Sequence, residues 1–178
     1  TFKSDRKGCV MGQIRVFTVS ESDINEPFIH ELSRVLCYDE PEQVDSVREY
    51  WQDWLFERIE GEKFTIVAAE CDGIIDDLEL VGVVRLWRTP YCGDKWLVEG
   101  LEVIAPKRKL GIGKALVEEA IRLLRHCGVD SISANISKSN VASIALHRSL
   151  GFEKSSSGAL NSYGKYRQHL DEYVLKLL

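Results

Sequence analysis

Apolar and polar residues alternate through GQIRVFTVS, residues 12–20, with the period of two that a half-buried strand requires. The period then lengthens to that of a helix, with Phe28, Leu32 and Val35/Leu36 recurring on one face. Asp23 followed by Glu26 predicts a capping box at its start. A second amphipathic helix is predicted from about Pro41 to Gly61, with Val44, Val47, Trp51, Trp54/Leu55 and Ile59 on its apolar side. Strand periodicity returns in KFTIVAAEC, ELVGVVRLWR and KWLVEGLEVIA. Their short links, with a turn at Asp72-Gly73 and a break at Asp76-Asp77, predict an antiparallel meander. A third helix carries Val117, Ile121 and Leu124 and stops at Gly128, and a strand follows in VDSISANIS. A short helix, NVASIALHRSLG, and a last strand, DEYVLKLL, complete the pattern, with KSSSGALNSYGK between them read as a turn-rich, mobile connection.

The order of elements predicts a mixed α/β fold, a central mixed sheet with helices on both faces, in one domain over residues 11–178. Residues 1–10 precede the only methionine, Met11, and are read as an extension without a role. A chain of 178 residues with 44% hydrophobic content is long enough to bury one core. Its net charge of −5 argues against a general nucleic-acid or membrane-surface binder. Five scattered cysteines with no CxxC pair point away from zinc and from a disulfide framework, and fit a reducing compartment. No stretch has the length of a membrane span, and the first twenty residues lack a continuous apolar region, so an unexported cytoplasmic protein is expected.

Against that acidic background, APKRKLGIGKALVEEA at residues 105–120 stands out, because Lys107, Arg108, Lys109 and Lys114 crowd the start of a helix. Helix N-termini present unpaired N–H groups and the positive end of the macrodipole, so the segment is a candidate anion site. A Walker A loop fails, since Arg108 stands where its first glycine belongs and Ala115 follows Lys114. A dinucleotide fingerprint fails as well, since Leu116 replaces its third glycine. What Arg108, Gly111 and Gly113 do satisfy is [R/Q]xxGxG.

LEVIAPKRKLGIGKAL resembles the acetyl-CoA-binding segment of the GNAT N-acetyltransferase superfamily, and SKSNVASIALHRSLGF resembles that family's second segment, NxxAxxLYxxxGF. The resemblance covers residues 96–154 and implies the family's acyl-CoA N-acyltransferase fold, with acetyl-CoA as cosubstrate and no metal. It implies a pyrophosphate cradle from the backbone of residues 109–114, with Arg108, Lys109, Gly111, Ile112, Gly113 and Lys114 as contacts. It also implies a pantetheine arm lying between splayed strands and paired with the backbone of Val103, Ile104 and Ala105, the Val103 N–H polarising the thioester. Asn140, which can also cap the short helix, Ser143 and His147 are further contacts.

An amine must be neutral to attack, so a general base is useful. Strict alternation puts Leu97, Glu99, Leu101 and Val103 on one face, and the family often carries its base there, which makes Glu99 the first candidate. A bulge in that strand would favour Glu102 instead. His147 stands where the family has its acid tyrosine, so it is read either as a general acid or as a coenzyme A contact. The helices before the meander bring Tyr38, Tyr50, Trp51 and Trp54 beside Asp39, Glu40, Glu42 and Asp45, groups that suit a cationic amine if they face the acceptor and an ordinary amphipathic helix if they do not. The resulting expectation is transfer of acetyl from acetyl-CoA directly to a primary amine, on a small molecule or a protein, with a non-catalytic acyl-CoA sensor as the alternative. No nucleic acid or membrane partner is expected, and the resemblance leaves a homodimer open.

Overall fold

A computed structural model describes residues 10–11, 14–56, 59–71 and 78–178. The predicted turn at Asp72-Gly73, the break at Asp76-Asp77 and nearly all of the N-terminal extension lie outside the described residues. The strands are β1 Val10–Met11, β2 Ile14–Thr18, β3 Glu62–Cys71, β4 Leu78–Arg88, β5 Trp96–Val103, β6 Ser131–Ser137, β7 Glu153–Leu160 and β8 Tyr166–Lys176. The helices are α1 Glu26–Leu36, α2 Val44–Leu55, α3 Ile112–His126 and α4 Val141–Ser149. One sheet runs β1-β2-β3-β4-β5-β6-β8-β7. All neighbours are antiparallel except β5 and β6. The mixed α/β architecture is the one the periodicities predict.

Helices cover both faces. Gly82 of β4 lies under Ile112 and Leu116 of α3, where a Cβ would come within 3.1 Å of Leu116. Three positions on, Arg85 points to the opposite face, against Tyr50, Trp51 and Trp54 of α2. Trp51 and Trp54 are buried, so their helical spacing serves the core rather than an exposed aromatic surface. Val81, Val83 and Val84 of β4 fill the middle of that core with Leu116 and Val117 of α3.

Three local expectations differ from the structure. Helix α1 is capped by Asn25, whose Oδ1 accepts the Phe28 N–H at 2.9 Å, while Asp23 closes a capping box with Ser20 on a preceding 3-10 turn. The second helix begins as a separate 3-10 turn at Pro41–Gln43 and ends at Leu55, leaving Ile59 outside it. Residues 154–165 are read as a mobile connection, but the first seven of them lie in β7. The ladder to β8 supplies order that the serine-rich composition conceals, and of its two register shifts the one between Ser157 and Ala159 accommodates Gly158 at φ 84°.

Candidate functional site

The anion cradle forms where β5 runs out. A 3-10 turn over Ala105–Lys107 leads to Lys109 and Gly111, both left-handed at φ 64° and 83°, and then to α3. The first bond of the helix runs from the Ala115 N–H to the Gly111 carbonyl at 3.0 Å. The N–H groups of Ile112, Gly113 and Lys114 are thus left to face outward, and no side chain caps them. Left-handed residues on either side of Leu110 turn the chain sharply into α3, next to the outward-facing amides.

The cations divide unevenly. Lys107 turns away to Glu70, at 2.7 Å, and Lys114 sits 3.8 Å from Glu118 on the exposed helix surface. Arg108 donates from Nε to the Val103 carbonyl at 2.9 Å and from Nη2 to Asp39 at 3.2 Å. Lys109 is exposed at the rim. Ile112 is buried by its side chain, so its contribution to an anion is its backbone N–H.

A gap opens beside this cradle because β5 and β6 pair only through Trp96, Leu97 and Val98. Just past the end of β5, Ile104 gives its N–H to Val81 of β4 at 3.0 Å. Backbone groups alternate in direction along a strand, so those of Val103 point the other way, into the gap. Of the three residues expected to pair with pantetheine, Val103 presents its backbone there, whereas the Ile104 N–H and carbonyl are bonded to Val81 and Lys107, and the Ala105 carbonyl accepts the Arg108 N–H at 3.3 Å. Gly113 closes the end of the gap. A Cβ added to it would stand 3.7 Å from Leu146 and 3.8 Å from Val103, ordinary contact distances, so no neighbour in the protein demands glycine here.

Strict alternation does not hold in β5. Arg85 is opposite Glu99 and Val83 is opposite Glu102, so two positions on β4 span three on β5, with Gly100 at φ 53° in the bulge. The two glutamates therefore share the α2 face with Arg85, and Leu101 and Val103 turn to the α3 face, toward Gly113. Glu99 does not share a face with Val103, as the unbroken pattern required. Glu102 is half-buried, and burial pushes its carboxyl above the usual carboxylate range, with Arg108 opposing the rise and Asp39 adding to it.

Arg85 is a largely buried cation beside these glutamates that neither motif marks. Its guanidinium lies 4.9 Å from the Tyr50 ring centroid, 5.1 Å from Trp54 and 5.7 Å from Trp51, and Nη1 donates to the Tyr50 hydroxyl. Its Nε is buried without a hydrogen-bond partner. Burial pushes its pKa below the ordinary arginine value, and the Glu99 carboxylate opposes that shift. The signal in the sequence was a lone arginine inside an otherwise apolar strand, ELVGVVRLWR. Nearby, a cavity of about 240 Å³ opens between β5, β6 and the β7–β8 hairpin, lined by Cys92, Leu97, Asn135 and Glu172.

On α4, Asn140 is the N-cap: its Oδ1 accepts the Ser143 N–H at 3.0 Å. His147 is buried rather than exposed on the helix surface, edge-on to Phe152 with ring centroids 5.0 Å apart. Its Nδ1 is 2.9 Å from the Ser143 carbonyl and 3.3 Å from the Ser143 hydroxyl. A carbonyl only accepts, so Nδ1 carries the proton and Nε2 presents a lone pair, buried without a partner. Burial lowers the imidazole pKa, and the Ser143 carbonyl opposes this. Protonating a thiolate from His147 would require the imidazolium that burial disfavours. Among the described residues no cluster of His, Cys, Asp or Glu is placed to hold a metal ion, and no helix is long and apolar enough to cross a membrane.

A fold with a splayed mixed sheet and an amide cradle at the start of the following helix defines a class of acyl-group transferases. The profile of the acetyltransferase (GNAT) family matches residues 8–152, and the chain belongs to that family. No curated protein sequence matches it. Solved structures share the fold at low identity. An N-acetyltransferase from Staphylococcus aureus superposes with a TM-score of 0.66 at 19% identity, covering 93% of this chain and 99% of that one. An aminoglycoside 6'-N-acetyltransferase complexed with coenzyme A gives 0.62 at 18%, covering 92% and 97%. The protein yncA from Salmonella typhimurium, with its cofactor acetyl-CoA, gives 0.61 at 20%, covering 93% and 95%.

Proposed function

We propose that the protein is an acetyl-CoA-dependent N-acetyltransferase that transfers the acetyl group directly to a primary amine. The observation that carries this reading is the Val103 backbone facing the gap next to an uncapped helix N-terminus. The residues present fit acetyl-CoA: the amides of residues 112–114, with Lys109 and Lys114 at the rim, suit a pyrophosphate, and Val103 suits the amides of a pantetheine arm. When bound there, acetyl-CoA supplies an activated acyl carbon. The Val103 N–H donates to the acyl oxygen as negative charge develops on it.

Glu102 takes the proton from the ammonium form of the acceptor. Its raised pKa brings a carboxylate closer to the operating pH, and the bulge directs it to the face on which Glu99 and Arg85 lie. The nitrogen lone pair then forms the new N–C bond, the C–S bond breaks, and the thiolate takes up the second proton that the nitrogen gives up on becoming an amide. A thiol with a pKa near 8.5 needs little assistance as a leaving group, so His147 is assigned no proton-donating role. Asn140 caps α4 and Ser143 engages His147, so both hold the second motif in shape beside the gap. No step needs a cysteine nucleophile.

The test is thiol release from acetyl-CoA across a panel of primary amines, alongside calorimetric titration with coenzyme A. Turnover that falls by about 10²-fold or more in Glu102→Gln, with coenzyme A affinity retained, supports the reading. Tight coenzyme A binding with no turnover on any amine would replace it with that of a sensor.

A further inference from the structure

The aromatic groups expected to receive a cationic acceptor already hold a cation of the protein's own. Tyr50, Trp51 and Trp54 surround the Arg85 guanidinium on the face of the sheet that carries Glu99 and Glu102. A guanidinium has five N–H donors, and the one hydrogen bond it makes among the described residues goes to a neutral phenol. No carboxylate among the described residues comes within ion-pair distance of it, and Nε is buried with its proton unmatched. Unpaired buried charge is costly to maintain.

The backbone makes room for this arginine. At the bulge, Gly100 lies so close that a Cβ would come 2.6 Å from Nη2 and 2.7 Å from Nε. The glycine thus lets the β5 backbone lie against the Nε side of the guanidinium at the point where β5 departs from the regular ladder, while Arg85 keeps part of its surface open elsewhere. A guanidinium with unmatched donors and part of its surface open suits a carboxylate in charge and in hydrogen-bond chemistry. Glu99 stands opposite in the register and Glu102 further along the same face, so a positive and a negative site lie side by side. A molecule bearing an ammonium and a carboxylate is complementary to both, whereas a polyamine would bring its second cation against Arg85.

We propose that Arg85 binds a carboxylate of the acceptor, so that the amine acetylated belongs to a small molecule of the amino-acid class. The inference rests on the acetyltransfer reading above and narrows its acceptor. Arg85 sets specificity, and Glu102 takes the proton.

The experiment compares phenylalanine, phenylalaninamide and phenethylamine, with the corresponding triplets of leucine, glutamate and lysine, as acceptors in the thiol-release assay. The same ligands are titrated calorimetrically into the protein loaded with coenzyme A. The acid form of at least one triplet is expected to exceed its amide and its decarboxylated amine in kcat/KM by roughly tenfold to a hundredfold, the range for a hydrogen bond to a charged group. Arg85→Gln is expected to bring that ratio close to one, chiefly through KM, and Arg85→Lys to retain part of it. Thermal melting and coenzyme A affinity show that both variants fold. An amide or amine accepted as well as the acid in every triplet, or a ratio that Arg85→Gln leaves unchanged, overturns the proposal. Arg85-dependent binding of an acid form without turnover would keep the proposal and remove the catalytic reading. Turnover without acid preference would do the reverse, and failure of every acid form to bind overturns the proposal outright.

Discussion

Gly113→Ala separates what the fold requires from what the ligand requires. The added methyl meets Leu146 at 3.7 Å, Val103 at 3.8 Å and Leu101 at 4.0 Å, all ordinary contacts, and the position needs no left-handed backbone. In the first turn of α3, alanine replaces the residue with the greater entropic cost of helix formation, which stabilises by about 0.5–1 kcal/mol. For a chain of this length that is a rise in Tm of roughly 1–4 °C. On the proposed placement of the pyrophosphate over Gly113, the same methyl stands against a phosphate oxygen. Loss of one hydrogen bond to a charged phosphate oxygen costs about 1.5–3 kcal/mol, or roughly a tenfold to hundredfold weaker Kd for coenzyme A. Differential scanning fluorimetry without ligand and calorimetric titration with coenzyme A read the two effects separately. A variant that melts higher and binds coenzyme A as tightly as the wild type would refute the placement of the pyrophosphate over Gly113. A variant that melts several degrees lower would refute the packing argument.

Glu102→Gln is expected to remove the acid limb of the pH–kcat/KM profile, in which activity rises with pH through a pKa above the ordinary carboxylate value, while Glu99→Gln retains that limb. Because the folded pKa of Glu102 is raised, its contribution to stability is complete below the unfolded pKa and is lost as pH rises through the folded one. Melting at neutral pH should therefore be unchanged or higher in Glu102→Gln, and a lower Tm would count against a desolvated carboxylate. For His147 the sign is reversed: its pKa is depressed, so its contribution is present above about pH 6.5 and is lost as pH falls through the folded value. His147→Phe should flatten the decline of Tm on acidification, and an unchanged slope would contradict the buried neutral ring. Gly100→Ala combines a left-handed backbone with a collision against Arg85 and should cost about 2–3 kcal/mol, read as a lower midpoint in urea unfolding.

The motifs were legible because they depend on backbone chemistry that few residue types permit. Gly111 is needed for its left-handed conformation, and the spacing of Arg108, Gly111 and Gly113 survives translation into a cradle. Asn140 was legible as a cap for the same reason. The faces of β5 were not legible, because one extra residue at Gly100 inverts every side chain after it, and WLVEGLEV reads as regular alternation with or without a bulge. Arg85 escaped notice because its partners come from α2, thirty-odd positions away, and no local pattern records a contact over that separation. His147 occupies the motif position of a tyrosine, yet its burial against Phe152 and its bond to Ser143 depend on packing that the motif does not encode. In β7 the ladder to β8 overrode a composition typical of turns.

The short pairing between β5 and β6 gives the sheet two edges in its interior, in addition to those of β1 and β7 at its ends. An exposed strand edge invites any extended segment to add to it, including one from another copy of the chain. Here the Arg108 guanidinium covers the Val103 carbonyl, while the charged rim of the cradle stands beside the opening. A ligand that pairs with Val103 through that carbonyl must therefore exchange with Arg108 rather than add to an empty site, and its affinity is a difference between two hydrogen bonds. The residue that lowers that affinity is also the one that denies the interior edge to a foreign strand.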